Sequence, residues 1–168
     1  MTAPRFILRL AKEDFKFSAA HFTVFSRTSA EDLHGHNYRV RVEIGGGALD
    51  ELGLLMEVSA VKTEIRRLCA SLDSKTLLPE NSELVRIASE GGAVEVRYGP
   101  RVYRLPEEGV RIVPLRNTSI EELALYFWRR LAPALEATAA DELAVEIEET
   151  AGQSCRYVAA LGRSGGTT

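Results

Sequence analysis

Histidine is the scarcest chemically versatile residue in this chain. Of 168 residues only three are histidine: His21, His34 and His36. Two of them form a His-Gly-His, and His21 lies just upstream. An imidazole nitrogen is a good zinc ligand. Three such nitrogens with an open fourth position make a catalytic zinc site, where bound water acidifies to a pKa of about 7. His34 and His36 are two residues apart, so an extended segment points both the same way. His21, from a neighbouring strand, supplies the third nitrogen. Spacing alone leaves another interpretation open: two surface histidines, and a core histidine between Ala20 and Phe22. The gathering of every histidine into one region favours the metal.

Composition narrows the field around that site. There are 21 Lys+Arg against 24 Asp+Glu, a net charge of −3, which argues against a nucleic-acid binder led by phosphate contacts. With 45% hydrophobic and 27% charged residues the chain has the composition of a soluble domain. It holds no run of about 20 apolar residues, so no membrane-spanning helix is expected. Arg9 interrupts the first apolar stretch, which makes the N-terminus a poor signal peptide. Cys69 and Cys155 are far apart and read as reduced thiols, which points to the cytoplasm. One domain over residues 1–161 is expected, followed by a flexible tail over 162–168.

The elements that must position the histidines are legible from periodicity. Phe6 to Leu10 starts a strand, and Phe15 to Phe22 extends that strand system. Ser26 to Asp32 is a polar loop. From His36 the period is two, with Tyr38, Val40, Val42 and Ile44 on the histidine face, and Gly45-Gly46-Gly47 is expected to end the strand. Ser59 to Leu72 has apolar residues at helical spacing, with Ser59 a candidate cap. Leu77 to Ser82 reads as a loop. Residues 93–97 and 101–105 alternate around Tyr98-Gly99-Pro100, a hairpin pattern, and Val110 to Leu115 is a short strand. Ser119 caps a helix from Ile120 to about Leu135, which Pro133 ends or kinks early. Ala144 to Glu149 and Cys155 to Ala160 close the fold as strands. The pattern predicts α+β, with helices on one face of an antiparallel sheet.

Two segments together carry a specific resemblance. Phe17-Ser18-Ala19-Ala20-His21-Phe22, followed by Leu33-His34-Gly35-His36-Asn37-Tyr38, closely resembles the 6-pyruvoyl- and 6-carboxy-tetrahydropterin synthase family. Leu72-Asp73-Ser74-Lys75 sits where the family has Leu-Asp-His-Lys, and Glu148-Glu149-Thr150 with Cys155-Arg156-Tyr157 is similar to its final pterin-binding strand. The resemblance covers nearly the whole chain and treats residues 77–114 as an insertion. It implies a tunnelling fold: a four-stranded antiparallel sheet with two helices on one face, plus an inserted β-hairpin. It also implies zinc on His21, His34 and His36, and a homo-oligomer, trimer or hexamer, with active sites between subunits. Assembly into a barrel would remove exposed sheet edges. Glu149 is implied as the pterin anchor, because a carboxylate matches two parallel ring donors. Ser119 or Thr118 would add a contact.

The chain departs from the family where the proton chemistry should be. The family's cysteine, four residues before His34, is Ala30 here, and the histidine after Asp73 is Ser74. Abstracting a proton from a pterin side chain needs a base with a pKa near the working pH. Ser74 is too weak unless another group, with Asp73 beside it, activates it. Glu31 could serve as a carboxylate base with a raised pKa, or zinc-bound hydroxide could take the proton. Otherwise Glu31 is a solvated loop charge. Arg97, Arg101 and Arg104 either solvate the hairpin, or one of them reaches a substrate triphosphate. The resemblance thus implies a zinc-dependent synthase or lyase acting on the side chain of 7,8-dihydroneopterin triphosphate, giving a pyruvoyl, carboxy or hydroxymethyl product. The alternative is a zinc-containing pterin-binding homologue without that catalysis.

Overall fold

A computed structural model describes residues 4–162. The tail expected at 162–168 therefore lies, apart from Gly162, outside the described residues. The elements run β1 (Phe6–Leu10), β2 (Lys16–His21), β3 (His34–Gly46), α1 (Ser59–Leu72), β4 (Lys75–Pro79), β5 (Arg86–Glu90), β6 (Ala93–Tyr98) and β7 (Arg101–Pro106). Then follow β8 (Val110–Val113), α2 (Ile120–Leu131), β9 (Glu142–Thr150) and β10 (Gln153–Ala160). Two helices and many strands make the expected α+β fold.

The sheet differs from the four antiparallel strands expected. It has seven strands, in the order β10-β9-β3-β2-β4-β8, with β1 also paired to β3. The long β3 organises it. Along one edge β3 pairs with β2 over His34–Arg39 and then with β1 over Val42–Gly46, and along the other it pairs with β9. These pairings are antiparallel, but β4 joins β2, and β8 joins β4, in parallel. A parallel neighbour needs a long crossover: α1 lies in the one that leads to β4, and β5, β6 and β7 form the one between β4 and β8.

The loop expected from Leu77 is instead β4. Leu77 and Leu78 are both fully buried, Leu77 in the main core and Leu78 in a second one, so the segment lacks the alternation that marks a half-exposed strand. The expected hairpin is part of a separate three-stranded sheet, β5-β6-β7, because Arg86–Glu90 pairs with β6 although most of it is exposed. The strand β3 ends inside the expected glycine run, at Gly46. A Cβ at Gly46 would meet Leu55 Cδ1 at 2.5 Å and the Ala139 carbonyl at 3.1 Å, so the strand needs glycine for close approach.

Both helices bury their stripes in one core with the face of β2, β3 and β9 that carries Phe17, Tyr38, Val40, Val42 and Val145. Ser59 is not the cap of α1. Val58 occupies that position without a side-chain bond, and the Glu57 carboxylate accepts the Ser59 amide at 2.8 Å. Ser119 does cap α2, accepting the Glu122 amide at 3.4 Å. That helix ends at Leu131, and Pro133 continues as a 3-10 turn that still buries Leu135.

Gly46→Ala should lower unfolding free energy by about 1–3 kcal/mol, the usual cost of overpacking a close contact. Urea denaturation of the two proteins would show it as a lower midpoint at unchanged slope.

Candidate functional site

The strand period puts all three histidines on the helix-facing side of the sheet. His21 lies directly opposite His34, and Ala19 opposite His36, at the β2–β3 pairing. The imidazole centroids are 4.7–5.3 Å apart, and one nitrogen from each ring can be chosen so that all three lie within 4.8 Å of one another.

Backbone carbonyls orient two of the rings. His21 Nδ1 is 2.7 Å from the Thr118 oxygen, and His34 Nδ1 is 2.7 Å from the Asp32 oxygen. A carbonyl only accepts, so Nδ1 carries the proton in both rings and Nε2 is left with its lone pair. Thr118 is itself fixed. Its hydroxyl donates to the Phe22 carbonyl at 2.8 Å, and its amide donates to the Asn117 side chain, which also clasps both backbone groups of Val24.

Glu149 enters from the end of β9 on the same face. Its Oε1 lies 3.1 Å from His21 Nε2 and 3.6 Å from His36 Nε2. The Tyr38 hydroxyl donates to Oε1 at 3.2 Å, and the Gln153 amide donates to Oε2 at 3.0 Å. Burial and the neighbouring Glu149 charge push the Tyr38 hydroxyl far up, so it stays a proton donor. Glu148 points to the opposite face and pairs with Arg41.

This arrangement tests whether the residues fit a metal. His21 is 1% exposed and its Nε2 has no hydrogen-bond partner, yet it faces a carboxylate oxygen. Two acceptors at that distance repel unless a proton or a cation sits at the nitrogen. Burial pushes the His21 pKa down, against the protonated ring. A cation bound by three neutral imidazoles resolves the conflict, and an all-nitrogen donor set suits zinc.

The other expected site residues are placed less uniformly. Ser74 lines an open cleft of about 750 Å³ with His36, Glu149, Arg39 and Lys75. Its φ is +58°, in the left-handed region. Its hydroxyl donates to Asp73 Oδ2 at 3.2 Å, while Asp73 Oδ1 accepts the Ser18 amide at 2.7 Å. Asp73 is thus engaged with the backbone of β2. Glu31 Oε2 accepts the Thr23 amide at 2.8 Å. Partial burial pushes its carboxyl up, and the bonds from Thr23 outweigh that, so Glu31 is a stronger acid than usual rather than a weaker one. This corrects the raised pKa expected of a carboxylate base. Ser119 stays at the start of α2 and is not among the residues lining the cleft. Neither thiol substitutes for the missing cysteine: burial pushes Cys69 up to about 12 and raises Cys155 as well.

Sequence reasoning missed Tyr38, Asn117 and Gln153 as parts of this site, and saw in Thr118 only a substrate contact, not the carbonyl that orients His21. Tyr38 had a signal, since the period that aligns His34 with His36 continues to it. Thr118 had none, because its partner His21 is 97 residues away.

The sequence matches the family described as 6-pyruvoyl tetrahydropterin synthase over residues 9–160. The chain belongs to the 6-pyruvoyl tetrahydropterin synthase family. A Methanocaldococcus jannaschii protein provisionally named 6-carboxy-5,6,7,8-tetrahydropterin synthase is 30% identical over 145 residues, 84% of this chain and 88% of that one. The crystal structure of 6-pyruvoyl tetrahydropterin synthase from Plasmodium vivax is 25% identical, with a TM-score of 0.86, covering 94% of this chain and 99% of that one. A further structure of that enzyme, 24% identical with a TM-score of 0.86 and the same coverage, carries alanine in place of a catalytic glutamate.

Two outcomes check the site. Zinc added to the metal-free protein should raise its unfolding temperature, by about 2.7 kcal/mol of stabilisation at a hundredfold excess over Kd, and His21→Ala should abolish the shift. In the metal-free protein the lowered His21 pKa means that the unfolded chain binds more protons near pH 6.5. Stability from this group should therefore be intact above pH 6.5 and fall as pH drops through and below it, a component that His21→Gln removes from the denaturation profile.

Proposed function

We propose that this protein is a zinc-dependent pterin synthase or lyase acting on the side chain of 7,8-dihydroneopterin triphosphate. The observation that carries this reading is the buried, unpartnered His21 Nε2, held beside two more imidazoles and the Glu149 carboxylate. His21, His34 and His36 would hold zinc, which supplies Lewis-acid polarisation of substrate hydroxyls.

The chain's own residues divide the remaining work. Glu149 receives the pterin ring through two parallel donors, in place of its present contact with Gln153. Tyr38 keeps that carboxylate oriented from below. Ser119 retains an O–H free to donate while its oxygen caps α2. Asp73 holds Ser74 at the cleft wall. Glu31 is the candidate base, and the catalytic glutamate of the Plasmodium vivax enzyme supports a carboxylate in such a role. To act, Glu31 must release the Thr23 amide or use its second oxygen. The subunits would assemble as a trimer or hexamer in the cytoplasm, with the region 77–114 as an insertion.

One observation favours a second reading, a zinc-containing pterin binder without turnover. Glu31 is a strengthened acid tied to the backbone, and Ala30 and Ser74 offer no base in its place.

Zinc-loaded protein incubated with dihydroneopterin triphosphate should yield a new pterin by chromatography, and His34→Ala should not. Unchanged substrate with confirmed pterin binding would establish the second reading. Glu149→Gln should weaken pterin binding about 10- to 100-fold in a fluorescence titration, the cost of one to two charge-assisted bonds.

A further inference from the structure

The small sheet packs against the segment that joins two of the histidines. The segment between β2 and β3, residues 22–33, carries His21 at its entry and His34 at its exit. Its apolar residues Phe22, Val24, Ala30 and Leu33 pack with Val94, Val96 and Tyr98 of β6 in the second core. Packing of this kind is non-directional and leaves peptide planes free to tilt. Two side chains of the small sheet add directional bonds to the segment. The Tyr98 hydroxyl donates to the Ser26 carbonyl at 2.7 Å, near the tip of the segment. Arg101 Nη1, from the start of β7, donates to the Glu31 carbonyl at 2.7 Å and lies 3.2 Å from the Asp32 carboxylate.

The second bond bears on the metal ligand. Asp32 is the residue whose carbonyl accepts His34 Nδ1–H and so sets the tautomer and tilt of that ring. The Asp32 side chain is 93% exposed, so its ion pair with Arg101 contributes little. The charge-assisted bond to the Glu31 carbonyl, one peptide away, is the useful one. On its other side, the Glu31 amide donates to the Thr23 carbonyl at 2.9 Å. Glu31 is therefore gripped from both sides, and Asp32 enters its turn from a fixed plane.

We infer that Arg101 is a positioning residue for the metal centre: it fixes the Glu31–Asp32 peptide and thereby aims His34. This also removes Arg101 from the arginines available to a substrate triphosphate. The inference rests on the metal reading of the three histidines, and its test separates the two.

Zinc affinity measured by chelator competition should fall about 10-fold in Arg101→Ala, the low end of the range for partners that orient a ligand from outside. The visible d–d bands of the cobalt-substituted protein should shift in the same variant. Arg101→Lys, which keeps one charged donor, should recover most of the affinity. Arg104→Ala, on the same strand, should match wild type, and Tyr98→Phe, which loosens only the tip, should stay within about twofold. Wild-type affinity and an unshifted cobalt spectrum in Arg101→Ala would overturn the inference. So would an equal loss in Tyr98→Phe, since general loosening would then explain both. Wild-type protein that binds neither zinc nor cobalt would overturn the metal reading itself. If Arg101→Ala fails to fold, Arg101→Gln replaces it: the lysine variant should bind zinc more tightly than the glutamine variant, and equality of both with wild type would refute the role.

Discussion

A buried imidazole nitrogen facing a carboxylate oxygen at 3.1 Å is the constraint on which this structure turns. Each partner is held there by bonds it does not share with the other. Thr118 fixes His21 from the start of α2, and Tyr38 with Gln153 fixes Glu149 from β3 and β10. Neither group can move away without breaking a bond inside the fold. The sheet register serves the same end: with His21 opposite His34, a one-residue slip would send the imidazoles to different faces. The β2–β3 ladder, the α2 cap region and the end of β9 therefore converge on one unsatisfied nitrogen.

What the sequence showed and what it concealed divide along a physical line. Period-two and helical patterns are local, so β3, α1 and α2 were legible, as was the gathering of His21, His34 and His36. Pairings across long stretches of chain were not. The Thr118 carbonyl is a backbone group, and no side-chain pattern announces it. The parallel partners depend on long crossovers: β4 on where α1 returns the chain, and β8 on where the small sheet does. β5 was hidden because its side chains face solvent and only its backbone belongs to a sheet. The cap at Ser59 failed for a different reason: the helix starts one residue earlier, with the Val58 carbonyl accepting the Lys62 amide, and Ser59 is already its first residue, its own amide bonded to Glu57.

The departures at Ala30 and Ser74 look different once Asp73 is seen in place. Its carboxylate accepts the Ser18 amide, and the Ser74 amide donates to the Ser18 carbonyl at 2.6 Å. These two bonds clamp the end of α1 onto β2, the strand that carries His21. An aspartate here has structural work whatever follows it. Ser74 keeps a left-handed backbone, which costs a non-glycine residue of order 1–2 kcal/mol, and the clamp supplies the reason it persists. The corner is preserved as architecture while its reactive side chain is absent.

Adjacent leucines on β4 have a consequence for how the molecule comes apart. Leu77 belongs to the core beneath the helices, and Leu78 to the core beneath the small sheet. One strand is thus a party wall. Peeling the small sheet away would expose one side of β4, and melting the helices would expose the other. Neither compartment can be lost without wetting a wall of its neighbour. Loss of either core therefore wets apolar surface of the other, and β4 is the element that couples them.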